Sequence, residues 1–190
     1  TMHGASKGKD VKLRKEIATA IRECLSHEGI FGALVSHGSS TVPKYIVDEI
    51  NALGGELTNT YGIAIEELQA AIPCGINKIN VDTDIRLAVT RNMKELFVKY
   101  PELRTSASIG EIYELMEAKK SQFDPRVFLP PIMDTVMKGT IPDEDVAAIV
   151  NCVERGVKEV VGTLIVQFGS FGKAPLVEQV TLEEMIERYK

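Results

Sequence analysis

The sequence has no apolar run of about 18 residues or more, the length a helix needs to cross a bilayer, so no membrane span is expected. It shows no secretory leader pattern. It has no Cys-x-x-Cys pair: Cys24, Cys74 and Cys152 stand far apart, which excludes a local zinc or redox motif. Unpaired thiols of this kind fit a reducing, cytoplasmic setting, and all three are expected to serve as packing residues. Excess positive charge is missing too. A net charge of −5 argues against a general nucleic-acid binder, whose affinity rests on clustered Lys and Arg. Internal repeats and low-complexity segments are absent.

What is present suits a globular domain. The 190 residues are 44% hydrophobic and 26% charged, enough for one sizeable core. The chain opens Thr1-Met2-His3-Gly4, which reads as a trimmed or processed start, although residues left from cloning would look the same.

The stretch from Ile30 to Ser40 organises the reading. An apolar run ends on His37, Gly38-Ser39-Ser40 follows, and helical sequence begins after Pro43. That order reads as strand, loop, helix, with the strand delivering its last residues to a ligand-binding edge. The loop offers N–H groups and hydroxyls without bulk, which suits a phosphate. A plain strand-to-helix turn with a solvent-facing histidine is the alternative. Helices are expected over 10–26, with Asp10 as N-cap, and over 42–53, 66–72 and 85–99, with a second strand at 76–81. His27 reads as a surface residue at a helix end, favourable for the dipole. The alternation implies parallel strands with crossover helices. Two strands cannot close a stable open sheet, so part of a larger sheet or barrel is expected.

Beyond Pro101 the pattern turns helical. A polar loop at 103–109 leads to helices over 109–120 and 132–138, a long helix from Pro142-Asp143 to Phe168, and a short one after Thr181. The long helix is expected to bury a face running through Val146, Ile149, Val150, Val153, Val157, Val160, Val161, Leu164, Ile165 and Phe168. Residues 1–100 thus read as barrel-type units and 101–190 as a helical extension packing on them or on a partner subunit.

Three groups line up on this frame. His3, Gly4 and Lys7 have the composition of an anion site, although a frayed terminus would be the ordinary reading. His3 and His37 each precede glycine and lie 34 positions apart, one step of an αβ repeat. That step brings two imidazoles to neighbouring strand ends, where they could share a zinc ion with a third ligand. Asn80, Asp82 and Thr83 follow the second strand and have the chemistry to orient a polyol, while Asp84 is expected to cap the next helix.

The segments His3-Gly4-Ala5-Ser6-Lys7, Ser36-His37-Gly38-Ser39-Ser40-Thr41-Val42-Pro43, Lys78-Ile79-Asn80-Val81-Asp82-Thr83-Asp84 and Phe123-Asp124-Pro125-Arg126 together resemble the C-terminal half of class II, zinc-dependent fructose-bisphosphate aldolases. The resemblance runs in order from His3 to about Pro131. It implies an α/β fold, the C-terminal part of a (β/α)8 barrel with added helices. It implies reversible cleavage of fructose 1,6-bisphosphate to dihydroxyacetone phosphate and glyceraldehyde 3-phosphate. His3 and His37 would be zinc ligands. Gly4, Lys7, Gly38, Ser39 and Ser40 would hold one phosphate. Asn80 would steady the enediolate, with Asp82 and Thr83 contacting substrate. Arg126 would reach the second phosphate from across a dimer interface. Carbonyls near Met2, Gly4 and Gly38 would help bind Na+ or K+, and a dimer or tetramer would be the assembly.

Related tagatose-bisphosphate aldolases tend to carry alanine and glutamate where Asp82 and Asp84 stand, so the fructose pattern is the one followed. In the family the third zinc ligand, the proton-transferring aspartate and a mobile-loop glutamate all precede the position of His3. The chain is therefore expected to be a C-terminal fragment completed by the N-terminal half of the barrel, and inactive alone. A non-catalytic half-barrel that binds a phosphate or a partner chain, or an aldolase for a related ketose bisphosphate, would be the other outcomes.

Overall fold

The computed structural model describes residues 11–30, 32–58 and 60–188. Two short strands, β1 (Leu34–Ser36) and β2 (Ile76–Ile79), pair in parallel. Around them lie α1 (Lys15–His27), α2 (Lys44–Ala52), α3 (Ile65–Ala71) and α4 (Thr83–Lys99). The C-terminal part is helical: α5 (Gly110–Ala118), α6 (Pro130–Met137), α7 (Glu144–Gln167) and α8 (Leu182–Arg188), with 3-10 turns at Pro101–Thr105, Pro125–Val127 and Ala174–Leu176. The architecture is compatible with the expected α/β class, mostly helical with a small parallel sheet. Among the described residues no helix is long and apolar enough to cross a membrane.

Pairing in the first strand is shorter than the apolar run suggests, and the reason is local. The ladder slips between Leu34 and Val35, where the Leu34 N–H donates to Asn77 Oδ1 at 3.0 Å instead of to backbone. Beyond Ser36 the pairing continues one step, as Asn80 N–H donates to the Ser36 carbonyl at 2.9 Å. Helix α2 starts at Lys44, not at Val42, because Val42 takes a left-handed φ of +49° that no right-handed helix contains. The polar stretch after Pro101 is ordered into a 3-10 turn. The proposed N-cap Asp10 lies outside the described residues.

Helix α4 is the centre of the molecule. One core joins its Val89, Met93, Leu96 and Phe97 to Ile112 and Met116 of α5, to Phe128 and Ile132, and to Val146, Ile149 and Cys152 of α7. A second joins Leu87 and Ala88 to Ile46, Val47 and Ile50 of α2 and to Val160 of α7. Fully buried side chains of this size stabilise by about 1.5–3 kcal/mol each relative to exposure. Arg91 on α4 adds an ionic tie, donating to Glu49 of α2 at 2.6 Å and to Glu159 of α7.

The buried face of α7 differs from the expected stripe. Val146, Ile149, Cys152, Gly156 and Val160 face inward, while Val157, Val161 and Ile165 are exposed. Gly156 decides this. A Cβ there would lie 2.8 Å from the Val89 backbone nitrogen, so only glycine lets α7 meet α4 backbone to backbone. Asp143 caps α7 as expected, accepting from the Val146 N–H at 2.8 Å. Of the three cysteines Cys152 alone is buried. Cys74 is half-buried and Cys24 exposed, because α1 buries none of its residues within this chain.

Candidate active site

The parallel register sets Ser36 opposite Ile79, so the next residues, His37 and Asn80, emerge side by side. Asn80 Nδ2 and His37 Nδ1 are 3.1 Å apart. The strand-end histidine and asparagine thus stand side by side in the fold. The orientation of an asparagine amide follows its partners. With Oδ1 turned to a protonated Nδ1, the lone pair of His37 Nε2 is presented outward, as a metal ligand requires. His37 itself is exposed.

The loop after His37 turns through Gly38, whose φ of +67° suits a residue without Cβ. Ser39 is fully buried, with its Oγ 2.6 Å from Ser36 Oγ. Ser40 Oγ accepts from the Thr83 N–H at 3.1 Å and the Asp82 N–H at 3.3 Å, which satisfies the first turn of α4. The serine hydroxyls are thus largely engaged within the protein. The N–H groups of Gly38, Ser39 and Ser40 donate to no acceptor among the described residues, which leaves them available to an anion.

Asp84 does not cap α4 as expected: the N-cap position is Asp82, and Asp84 turns its carboxylate away from the helix to the loop. It is 1% exposed, and its carboxylate accepts from the Thr41 N–H at 2.9 Å, Thr41 Oγ1 at 2.7 Å and the Val42 N–H at 2.8 Å. Loop and helix therefore clasp each other, with Ser40 holding α4 and Asp84 holding the loop. From below, Gly62 supports the turn. A Cβ at Gly62 would meet the Thr41 carbonyl oxygen at 2.2 Å, and the Ile63 N–H donates to the Ser40 carbonyl at 3.0 Å.

Asp82 is exposed and bound by Arg86 one turn on, whose Nε donates to Asp82 Oδ1 at 2.8 Å. Arg126 is exposed on the 3-10 turn that Asp124 caps, and Asp124 Oδ2 accepts from Arg126 Nη2 at 2.6 Å. The Arg126 guanidinium, and to a smaller degree the Arg86 charge, hold the Asp124 carboxyl below the usual carboxylate range despite partial burial. The structure thus brings together His37, Gly38, Ser39, Ser40, Asn80, Asp82 and Thr83. Arg126 joins them through Asp124 and Arg86. His3, Gly4 and Lys7 lie outside the described residues.

Among the described residues no group of three His, Cys, Asp or Glu side chains could hold a metal. His37 is the imidazole that this part of the site supplies, and its chemistry and its asparagine partner fit a metal ligand. Sequence reasoning missed the roles of three residues, Arg86, Asp124 and Asp84. Asp82 and Arg86 have the i, i+4 spacing of a helical ion pair, a readable signal. Asp124 could be read as a cap. Nothing local marks Asp84 as the clamp on a loop 42 positions earlier.

Known proteins extend this picture. The chain is 34% identical over 156 residues to a fructose-bisphosphate aldolase of Xanthobacter flavus, covering 82% of this chain and 33% of that protein. It is 34% identical over 191 residues to a fructose-bisphosphate aldolase of Giardia intestinalis, covering all of this chain and 46% of that one. A match of 30% over 189 residues to fructose-bisphosphate aldolase 2 of Cereibacter sphaeroides covers all of this chain and 42% of the relative. The chain therefore spans from about a third to just under half the length of these curated relatives. The family profile described as class-II fructose-bisphosphate aldolase matches residues 1–173, and the chain, with its strand-end histidine and asparagine above a glycine-serine loop, belongs to that family of lyases.

Proposed function

We propose that this chain forms the C-terminal part of a (β/α)8 barrel aldolase that reversibly cleaves fructose 1,6-bisphosphate. The observation that carries the reading is the pairing of His37 with Asn80 at adjacent parallel strand ends, over a loop with unengaged N–H groups. Residues 1–100 supply barrel units, and 101–190 pack on them as a helical extension. The greater length of the relatives leaves room for the remaining strands of a barrel that typically needs about 250 residues.

His3 and His37 would hold the zinc ion, which acts when bound as a Lewis acid on the ketose carbonyl. The chain's own residues do the rest. Gly38, Ser39 and Ser40, with Gly4 and Lys7, grip one phosphate, the N–H groups supplying directed donors and Lys7 a point charge. Asn80 faces the oxygen on which negative charge develops, and its amide has a donor to place there. Asp82 and Thr83 accept and donate to the hydroxyls of the open-chain sugar. Arg126 takes the second phosphate, as a subunit of a homo-oligomer. Na+ or K+ near Gly38 would complete the phosphate site, and the protein would act in the cytoplasm.

Two carboxylates, Asp82 and Asp84, favour fructose over tagatose bisphosphate, since the tagatose enzymes tend to differ at both places. The test is zinc titration and aldol cleavage with the full-length protein. Tight zinc binding and turnover of fructose 1,6-bisphosphate well above that of the tagatose epimer is the expected result. Absence of cleavage in the zinc-loaded protein would leave the half-barrel a binding module.

A further inference from the structure

The β2–α4 loop and the turn at 124–126 are far apart in sequence, yet a continuous line of charge-assisted hydrogen bonds joins them. Arg86 uses all three guanidinium nitrogens. Its Nε donates to Asp82 Oδ1 at 2.8 Å, its Nη2 to Asp82 Oδ2, and its Nη1 to Asp124 Oδ2 at 2.9 Å. Asp124 then accepts from Arg126 four times: the backbone N–H and Nε reach Oδ1 at 3.0 Å each, and Nε and Nη2 reach Oδ2 at 3.1 and 2.6 Å. The order is Asp82, Arg86, Asp124, Arg126, with alternating signs that cancel.

Exposure along the line is uneven. The inner side chains, Arg86 and Asp124, are 26% and 19% exposed, while the ends, Asp82 and Arg126, are 66% and 69% exposed. Isolated surface ion pairs fix little, but a shielded, bidentate core sets geometry. Asp124 occupies the Nε–Nη2 edge of Arg126. Arg126 Nη1 has no partner among the described residues, so the outer edge of the fork is open to two parallel bonds with a phosphate.

We propose that Arg86 is a positioning residue: anchored on Asp82, it fixes Asp124 and through it the orientation of Arg126 toward the distal phosphate of a sugar bisphosphate. The inference rests on the aldolase reading, in which Arg126 meets that phosphate. Arg86 does not touch substrate. Its loss acts through the two carboxylates it holds, and the part that runs through Asp124 to Arg126 is what a double-mutant cycle isolates; lysine cannot replace it, because one ammonium cannot span both carboxylates in fork geometry.

The test is a double-mutant cycle in the full-length, zinc-loaded protein, with KM and kcat for fructose 1,6-bisphosphate and affinity for dihydroxyacetone phosphate as readouts. Arg126→Ala is expected to raise KM about 50-fold and Arg86→Met about tenfold, with kcat within about twofold. In the Arg126→Ala background Arg86→Met should add less than about threefold, since the side chain it positions is gone. Affinity for dihydroxyacetone phosphate, with one phosphate, should stay within about twofold throughout. Arg86→Lys should keep the KM defect. Where Arg86→Met lowers the folded yield, Asp124→Asn replaces it in the same cycle with the same expectation. Equal factors in both backgrounds, or a fall in kcat with unchanged KM, would overturn the inference while leaving the aldolase reading in place. A wild-type protein that binds zinc and cleaves no ketose bisphosphate would overturn both.

Discussion

Replacing Asp84 by asparagine should loosen the loop through Gly38 to Val42 without disturbing the core. The carboxylate is 1% exposed and accepts three hydrogen bonds, from Thr41 N–H, Thr41 Oγ1 and Val42 N–H. Bonds to a charged acceptor contribute about 1.5–3 kcal/mol each and do not add fully. Asparagine keeps one acceptor oxygen and turns an NH2 group toward a donor, so one or two of the three bonds are lost. The expected weakening is about 2–3 kcal/mol, and it falls on the loop, where Val42 also sits in a left-handed conformation that costs about 1–2 kcal/mol. At 1.36 kcal/mol per decade, the amides of Thr41 and Val42 should exchange with deuterium about 30- to 150-fold faster. Amides in the middle of α2, such as that of Ile50, should be unchanged and serve as the internal reference. Fragment-resolved hydrogen exchange on the full-length protein measures both. Affinity for inorganic phosphate should fall in parallel. If Thr41 and Val42 exchange within about threefold of wild type, the clasp does not hold the loop.

Three further outcomes can be checked directly. In the full-length protein His37→Ala should lose bound zinc and activity together, read by metal analysis and turnover, whereas His27→Ala, exposed beside Glu28, should be neutral; retained zinc in the first variant would remove His37 from the ligand set. Gly156→Val should cost about 3 kcal/mol, or about 6–12 °C of thermal midpoint, because its Cβ would press on the Val89 backbone, while Gly162→Ala, with nothing within 4 Å, should be neutral or mildly stabilising; equal midpoints would show that α7 does not cross α4 there. Asp143 is held below its ordinary range by the Ser108 hydroxyl and the Val146 N–H, so its folded form gains from ionisation. That gain is complete above the unfolded value of about 3.9 and is lost as pH falls through the lower folded value. The midpoint difference between wild type and Asp143→Asn should therefore be present at about pH 6 and vanish near pH 2, and a difference that persists in acid would contradict the assignment.

The parts of the fold that were readable in the sequence are those fixed by neighbours in the chain. Ile76 and Ile79 sit in β2 as their apolar pattern suggests, Asp143 caps the helix it precedes, and His37 and Asn80 follow strands whose ends meet. The rest depends on partners the local pattern does not contain. Valines occupy two faces of α7, so periodicity could not say which faces α4, and Gly156 decided it through a backbone contact. Asp84 looked like a cap because caps and clamps share the same residue type, and only the fold brings Thr41 to its carboxylate. Arg86 was half-legible: its spacing to Asp82 is local, but its bond to Asp124 crosses 38 positions. His3 belongs to neither class, since it lies outside the described residues.

The contact at Gly156 has a mechanical consequence. Helix α4 is 17 residues long, about 25 Å, and its first turn carries Thr83 and Asp84 of the site. Val89, near its middle, rests directly on the backbone of α7. Leu87, Met93 and Phe97 pack on either side of that contact, so the helix can neither slide nor pivot without opening a close-packed core. Thr83 and Asp84 are therefore held at the candidate site by a helix anchored along its length.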